Sequence, residues 1–334
     1  MRIGLAGLGR IGAFHARTLA DLAAVDSLVV ADAIPEVTDR VSRAVGAEPA
    51  PSPDALLRSG IDGLVVAAAT DAHPALLRAA VDAGVPVFCE KPVAGTVDEA
   101  LRLRAEMAGR DERVQIGFPR RFDAAFVAAR AAVEAGELGH VHTVRSTTLD
   151  PAPPPAAYLA VSGGIFHDCA IHDFDAVRWV TGRDVVEVYA TGDDGGDPVY
   201  TAIGDAHTVS SILTFDDGAL AVVSNARRNA RGYDVRLEVH GTDDSVAAGH
   251  DDGLPLRRTE PGAPTPGPAH SFFMDRLADA FRAELAAFTE VVAGTRPSPC
   301  TVADAVAATL IAEAATRSRR EHRPVRIDEV KNRE

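Results

Sequence analysis

The chain is poor in aromatic residues, has few cysteines, carries fewer bases than acids, and contains no apolar run long enough to cross a membrane. Aromatics make up 5% of its 334 residues, against 46% apolar residues in all, so a core would be built from alanine and branched aliphatics, in a chain long enough for two such cores. The three cysteines, Cys89, Cys169 and Cys300, have no paired spacing of the zinc or redox type, and they point to a reducing cytoplasm and a fold without disulfides. A net charge of -14, with 34 bases scattered among 48 acids, argues against nucleic acid as a partner, because phosphate binding needs a clustered cationic surface. Met1 leads directly into an apolar strand-like run, with no basic stretch and apolar signal segment, so neither export nor membrane insertion is expected.

What is present begins at residue 7. Gly7, Gly9 and Gly12 follow the apolar run Arg2 to Ala6, and Asp32 lies twenty positions beyond Gly12, directly after a second apolar run, Ser27 to Ala31. With a helix from Ile11 to about Ala24 between the runs, this is a βαβ unit whose spacing points to a nicotinamide dinucleotide. Gly7 permits the tight turn, Gly9 lets backbone approach a pyrophosphate, and Gly12 lets the helix pack on the strand; Arg10 and Ile11 begin the helix whose N-terminus faces the phosphates. Asp32 would accept hydrogen bonds from the adenosine ribose and repel a 2'-phosphate. Ala33 beside it offers no cation, so NAD is expected over NADP.

The alternation continues through a strand Gly63 to Ala68, a helix His73 to Ala83, a strand Pro86 to Phe88, a helix Val97 to Ala108 and a strand Arg113 to Gly117, which predicts a doubly wound parallel sheet. A helix over Phe122 to Ala135 follows, closed by Gly136. Period-two runs then dominate: Val141 to Leu149, Val185 to Ala190, Thr208 to Phe215, Ala219 to Asn225 and Val235 to His240, with a hairpin signal at Asp216, Asp217 and Gly218. The expected fold is therefore α/β: a dinucleotide-binding domain over residues 1–120, and over 121–334 an α/β domain with an open, mainly antiparallel sheet. Gly253 to Pro268 reads as a long surface loop, and Ser271 to Ala293 and Val302 to Ser318 as closing helices.

The densest polar cluster runs from Gly163 and Gly164 to Asp175. On a helix from about Ile165, Asp168, His172 and Asp175 share one face, as expected where an imidazole takes a proton from an alcohol and a carboxylate orients it. The competing reading is an acidic helix face with a solvated histidine. A metal site from His167, Asp168 and His172 is disfavoured, because His167 and His172 are five apart and point in different directions; no metal is expected. Glu90, Lys91 and Pro92 follow a strand at the carboxyl edge of the parallel sheet, where Glu90 and Lys91 are expected at the cofactor and the lysine can bridge cofactor and substrate, or else pair with Glu90 at the surface. The loop of Ala69, Thr70 and His73 would line the nicotinamide end, or Thr70 or Asp71 is merely a helix cap.

Taken in order, the glycine fingerprint, Ala69-Thr70 with His73, Glu90-Lys91-Pro92, the segment Gly117 to Phe122, and Gly163-Gly164 with Asp168 and His172 resemble the Gfo/Idh/MocA oxidoreductases over nearly the whole chain, most of all the cyclitol and sugar dehydrogenases among them. The resemblance implies a Rossmann domain joined to a domain whose open sheet mediates homo-oligomerisation, often as a tetramer. It implies NAD-dependent oxidation of a secondary ring hydroxyl of a cyclitol such as inositol, or of a related sugar or aminocyclitol that the enzyme handles in either direction. It also implies a catalytic triad of Lys91, Asp168 and His172, with Arg120, Asp175 and Tyr233 on the substrate side. Two positions depart from the inositol enzymes, Pro119 where many have methionine and Asp150 where some have asparagine; a carboxylate at Asp150 still accepts hydroxyl hydrogen bonds but can change which stereoisomer fits. A catalytically silent NAD-binding sensor is the rival from another class, disfavoured because all three triad members are present.

Overall fold

The computed structural model describes residues 1–257, 259–263, 265 and 267–331. The chain forms two compact units, Met1–Pro119 with Phe281–Val306, and Arg120–Ala280 with Ala307–Glu334. A single boundary after residue 120 does not describe this division. The reason lies in the apolar side chains of Leu285, Phe288, Val291 and Val292, which join Ile3, Leu5, Val30, Val65 and Phe88 in the core of the first unit. Full burial of Phe88 and Phe288 contributes about 2 to 3 kcal/mol each. The returning segment is also tied by hydrogen bonds, Gln115 Nε2 to the Glu284 carbonyl at 3.0 Å and the Ile116 N–H to the Cys300 carbonyl at 2.9 Å.

The first unit holds six parallel strands, β1 (Arg2–Ala6), β2 (Ser27–Ala31), β3 (Glu48–Pro49), β4 (Gly63–Val66), β5 (Val87–Glu90) and β6 (Val114–Gly117), in the order β3-β2-β1-β4-β5-β6. This is the doubly wound order, and it places the sheet's topological switch point at β1 and β4. The first helix, Arg10–Ala20, stops four residues short of expectation, at Asp21. Between residues 33 and 62 the structure adds a helix, Pro35–Val45, opened by proline and closed by Gly46 in the left-handed region, then β3 and a short helix, Pro53–Leu57.

Among its described residues the second unit holds seven strands: β7 (Val141–Leu149), β8 (Val185–Asp193), β9 (Thr208–Phe215), β10 (Leu220–Ala226), β11 (Asp234–Gly241), β12 (Ser245–Ala248) and β13 (Val325–Arg326), ordered β12-β11-β7-β10-β9-β8-β13. Among the described residues only β7 and β10 pair in parallel; the other neighbours are antiparallel, as the alternating runs predicted. The helices Ala124–Glu134 and Ile171–Thr181 pack on one another, and the second also lies on β7 and β10. Asp123 caps the first of them through the Ala125 and Phe126 N–H groups. The expected helix Ser271 to Ala293 is broken at Leu277 into Phe273–Arg276 and Ala278–Ala293. The loop expected over Gly253 to Pro268 contains no helix or strand among its described residues, positions 258, 264 and 266 lying outside them.

Candidate functional site

In the first unit the glycine turn has the stereochemistry its three positions require. Gly7 adopts φ +90°, and a Cβ there would meet the Ala68 nitrogen at 2.3 Å; a Cβ on Gly12 would meet the Gly7 carbonyl oxygen at 2.0 Å. Gly9 differs from both: it is exposed and a Cβ would meet nothing within 4 Å, which leaves open space beside the turn. Gly9 also begins the helix Arg10–Ala20 without a side-chain cap, so the positive end of the helix dipole faces that space, as an anionic pyrophosphate requires. The half-buried Asp32 carboxylate accepts the Leu8 N–H at 2.7 Å and the Ile34 N–H at 3.0 Å, which fixes it at the end of β2 beside the exposed Ala33. These residues fit a dinucleotide whose ribose is held by a carboxylate and whose phosphates meet a helix N-terminus.

Lys91 follows β5 and is half-buried, Ala69 is exposed and Thr70 half-buried at the corresponding end of β4. Two residues expected to touch the cofactor are placed otherwise. The Glu90 carboxylate meets Nε2 of the fully buried His15 at 2.6 Å, linking the strand that carries Lys91 to the first helix. His73 is buried with its ring between two carbonyls, Nδ1 at 2.7 Å from the Pro92 oxygen and Nε2 at 3.0 Å from the Ala68 oxygen, so it braces the loop after β4 against the segment after β5. Both side chains brace the backbone that would receive the nicotinamide, and neither is presented outward.

In the second unit the helix expected from Ile165 begins as a π-helical turn, Phe166–Ala170, before continuing as the α-helix Ile171–Thr181. Gly164, at φ +86°, leads into it, and a Cβ there would press on the Asp205 carboxylate at 3.1 Å. Wider turns of this kind recur at functional sites because they re-aim side chains. Asp168 and His172 emerge half-buried, one turn apart, while Cys169, Ala170, Ile171 and the run Asp173 to Val177 are buried. The carboxylate of Asp168 is gripped on both oxygens: Tyr158 Oη donates to Oδ1 at 2.9 Å and Arg227 Nη1 to Oδ2 at 2.6 Å.

Asp175 does not share this face. It is fully buried and paired in two-pronged fashion with Arg121, Nε to Oδ2 at 2.9 Å and Nη2 to Oδ1 at 2.6 Å, because the residues around it turn inward onto the sheet. Arg120 is likewise buried. Its guanidinium donates to Asp173 Oδ1 at 2.7 Å and Thr148 Oγ1 at 2.6 Å, and Asp173 also accepts from Ser146 Oγ at 2.5 Å and Asn225 Nδ2 at 2.7 Å. Asp173 thereby fastens the helix to the parallel pair β7 and β10. Burial lowers the Arg120 pKa, but Asp173 and the neighbouring Tyr233 outweigh it and hold the guanidinium above its usual value. Tyr233 is buried, its ring edge-on to Phe273, and burial, helped by Asp150, Cys169 and Asp173, pushes the phenol far above its usual value; the phenol therefore acts as a neutral hydrogen-bonding group. Asp150 closes β7, with its N–H on the Ala226 carbonyl at 2.9 Å.

The polar residues that sequence reading did not single out are Arg121, Tyr158, Asp173, Arg227 and His15. Arg121 and Asp173 adjoin Arg120 and His172, and only the burial pattern distinguishes them from their neighbours. Among the described residues no cluster of three or more potential metal ligands occurs, and no helix is long and apolar enough to span a membrane.

Residues 1–118 match a family model described as an oxidoreductase family with an NAD-binding Rossmann fold, and residues 126–247 match the GFO/IDH/MocA C-terminal domain. The chain is 35% identical to an inositol 2-dehydrogenase of Rhizobium meliloti over 327 residues, covering 98% of this chain and 99% of the relative. Among solved structures it resembles a myo-inositol dehydrogenase from Corynebacterium glutamicum, with a TM-score of 0.89, 34% identity and 98% of each chain covered. It also resembles a scyllo-inositol dehydrogenase from Lactobacillus casei with bound NAD(H) and scyllo-inositol, with a TM-score of 0.87, 27% identity, and 98% of this chain and 99% of that one covered.

Proposed function

The chain belongs to the Gfo/Idh/MocA oxidoreductase family, and from that premise we propose that it is an NAD-dependent dehydrogenase that oxidises a secondary ring hydroxyl of an inositol to the ketone. The observation that carries this reading is the pair Asp168 and His172, half-buried one turn apart and flanked by the buried runs Cys169 to Ile171 and Asp173 to Val177, with the carboxylate locked by Tyr158 and Arg227.

NAD, when bound at the glycine turn and Asp32, supplies the hydride acceptor. Every other function falls to side chains. His172 accepts the hydroxyl proton, Asp168 holds the imidazole in the tautomer that can receive it, and Lys91 donates a hydrogen bond to the same oxygen as negative charge develops there. Asp150 and Tyr233 supply an acceptor and a neutral hydroxyl for the remaining ring hydroxyls, while Arg120 and Asp175 act behind the site by fastening the helix. The carboxylate at Asp150 favours a polyhydroxylated ring with hydrogen-bond donors to spare.

The protein is proposed to assemble as a homo-oligomer, with a homotetramer as the reading. Tyr189, Ile212, Leu220 and Val222 are exposed on β8, β9 and β10, with Tyr189 and Val222 both in register with Ile212, so they form one apolar patch on the sheet. A cytoplasmic location is proposed from the three buried cysteines, none of which forms a disulfide among the described residues.

The decisive experiment follows absorbance at the NADH wavelength with myo-, scyllo- and chiro-inositol and several aldoses, each with NAD and with NADP. NADH formation from at least one inositol, lost by about 100- to 10,000-fold in His172→Ala with NAD affinity retained, is the expected result. Absence of turnover with every polyol, or near-normal turnover in His172→Ala, would overturn the reading.

A further inference from the structure

Arg227 is the first residue after β10, and its side chain is 1% exposed. Its guanidinium donates to Asp168 Oδ2 at 2.6 Å and stands 3.9 Å from an Asp205 carboxylate oxygen; Nε and Nη2 have no hydrogen-bond partner among the described residues. One short bond to Asp168 is therefore the main return on burying a whole positive charge, an expensive arrangement in a protein interior. Asp205 is itself fixed, accepting the Ile165 N–H at 3.0 Å at the mouth of the π-helical turn. The Arg227 N–H is held by the His207 carbonyl at 2.8 Å.

We propose that Arg227 is a positioning residue for the acid-base pair: it keeps Asp168 anionic and in one orientation, and by its charge sets the pH above which His172 is a free base. The inference rests on the reading of Asp168 and His172 as that pair. The groups around the guanidinium are Asp168, itself held by Tyr158, and Cys169 from the stretch that leads into the helix, Asp150 from the end of β7, and Tyr200 and Asp205 from the segment before β9, with Arg228 next in sequence. Burial opposes the Arg227 charge, but Asp168, Cys169 and Asp150 outweigh it, so the guanidinium is held above its usual value and stays charged throughout the assay range.

The sign follows from the charge. A permanent cation bonded to Asp168, one helical turn from His172, disfavours the imidazolium, so it extends the free-base form of His172 to lower pH. Arg227→Gln removes the cation yet leaves an amide able to donate to Asp168, and the acidic limb of kcat/KM should move up by about one pH unit, a roughly tenfold loss of activity below the limb. Arg227→Lys keeps the charge without the forked geometry; its limb should stay within about 0.3 unit of the parent while kcat falls. NAD affinity should be unchanged in both.

The experiment measures kcat/KM against pH for the parent, Arg227→Gln, Arg227→Lys and His172→Ala, with NADH formation from the best inositol as readout. A limb that moves in Arg227→Gln and returns in Arg227→Lys supports the proposal. Superimposable limbs, or equal movement in both variants, overturn it. Inactivity of His172→Ala with unmoved Arg227 limbs removes this inference alone, whereas an active His172→Ala removes the underlying reading. Should Arg227→Gln fail to fold, the charge-neutral pair Asp168→Asn with Arg227→Gln decides against Asp168→Asn alone: equal kcat shows that Arg227 acts through Asp168, and a further tenfold loss shows that it does not.

Discussion

Asp175 and Arg121 form a closed, two-pronged ion pair inside the second unit, with 1% and 4% of their side chains exposed. Both carboxylate oxygens are engaged at 2.6 and 2.9 Å, so the helix Ile171–Thr181 is pinned by a group that has no face toward solvent. Asp175→Asn should leave the Arg121 charge buried with a poorer partner and cost about 3 to 5 kcal/mol of stability, as breaking one side of a buried pair does. Denaturant unfolding measures this. A variant of unchanged stability with a large rise in polyol KM would instead make Asp175 a substrate ligand.

Gly9 and Gly12 should separate folding from cofactor binding. Gly12→Ala forces a Cβ to within 2.0 Å of a backbone carbonyl, so helix and turn must part, with loss of both stability and NAD affinity. Gly9→Ala meets nothing within 4 Å, so its melting temperature should match the parent while NAD binding weakens by at least tenfold. Calorimetric melting and NAD titration of the two variants check the contrast. Normal NAD binding by Gly9→Ala would remove the pyrophosphate from the turn.

The cofactor preference rests on Asp32, fixed by the Leu8 and Ile34 N–H groups. Asp32→Ser with Ala33→Arg replaces a repelling carboxylate by a pairing cation. It should shift relative kcat/KM from NAD toward NADP by about 30- to 1,000-fold, or about 2 to 4 kcal/mol. An unmoved ratio would show that the carboxylate faces no ribose.

The apolar patch on β8, β9 and β10 gives a solution test of assembly. Ile212→Glu, at 47% exposure in the single chain, should fold normally but lower the mass measured by sedimentation, because a charge at the centre of a covered patch is left unpaired. An identical mass for parent and variant would remove this face from any interface.

The strands and the glycine turn were legible because their signals are local. The apolar run, the glycine, the second apolar run and the acid lie within 32 residues, and β1, β2, β7 and β9 have the expected bounds. What was not legible depends on burial. Asp168 and Asp175 look alike as acids on one helix, and the π-helical turn that separates their surroundings leaves no mark in the spacing. Glu90 and His73 were read as ligand-facing because they flank the right strands, but their partners, His15 and the carbonyls of Ala68 and Pro92, lie up to 75 positions away in the chain. Arg227 was hidden just beyond an ordinary alternating run. Lys91, in contrast, has compositional support that was available from the start: among the 34 bases it and Lys331 are the only lysines, in a chain that otherwise uses arginine.

The return of residues 281–306 to the first unit has a consequence for how the protein is made. Leu285, Phe288, Val291 and Val292 complete a core begun by Ile3 and Leu5, so the cofactor-binding unit cannot close until nearly the whole chain has left the ribosome. A nascent chain paused near residue 120 would carry the glycine turn above an uncovered apolar patch and would attract chaperones, and a gene fragment cut there would yield aggregates.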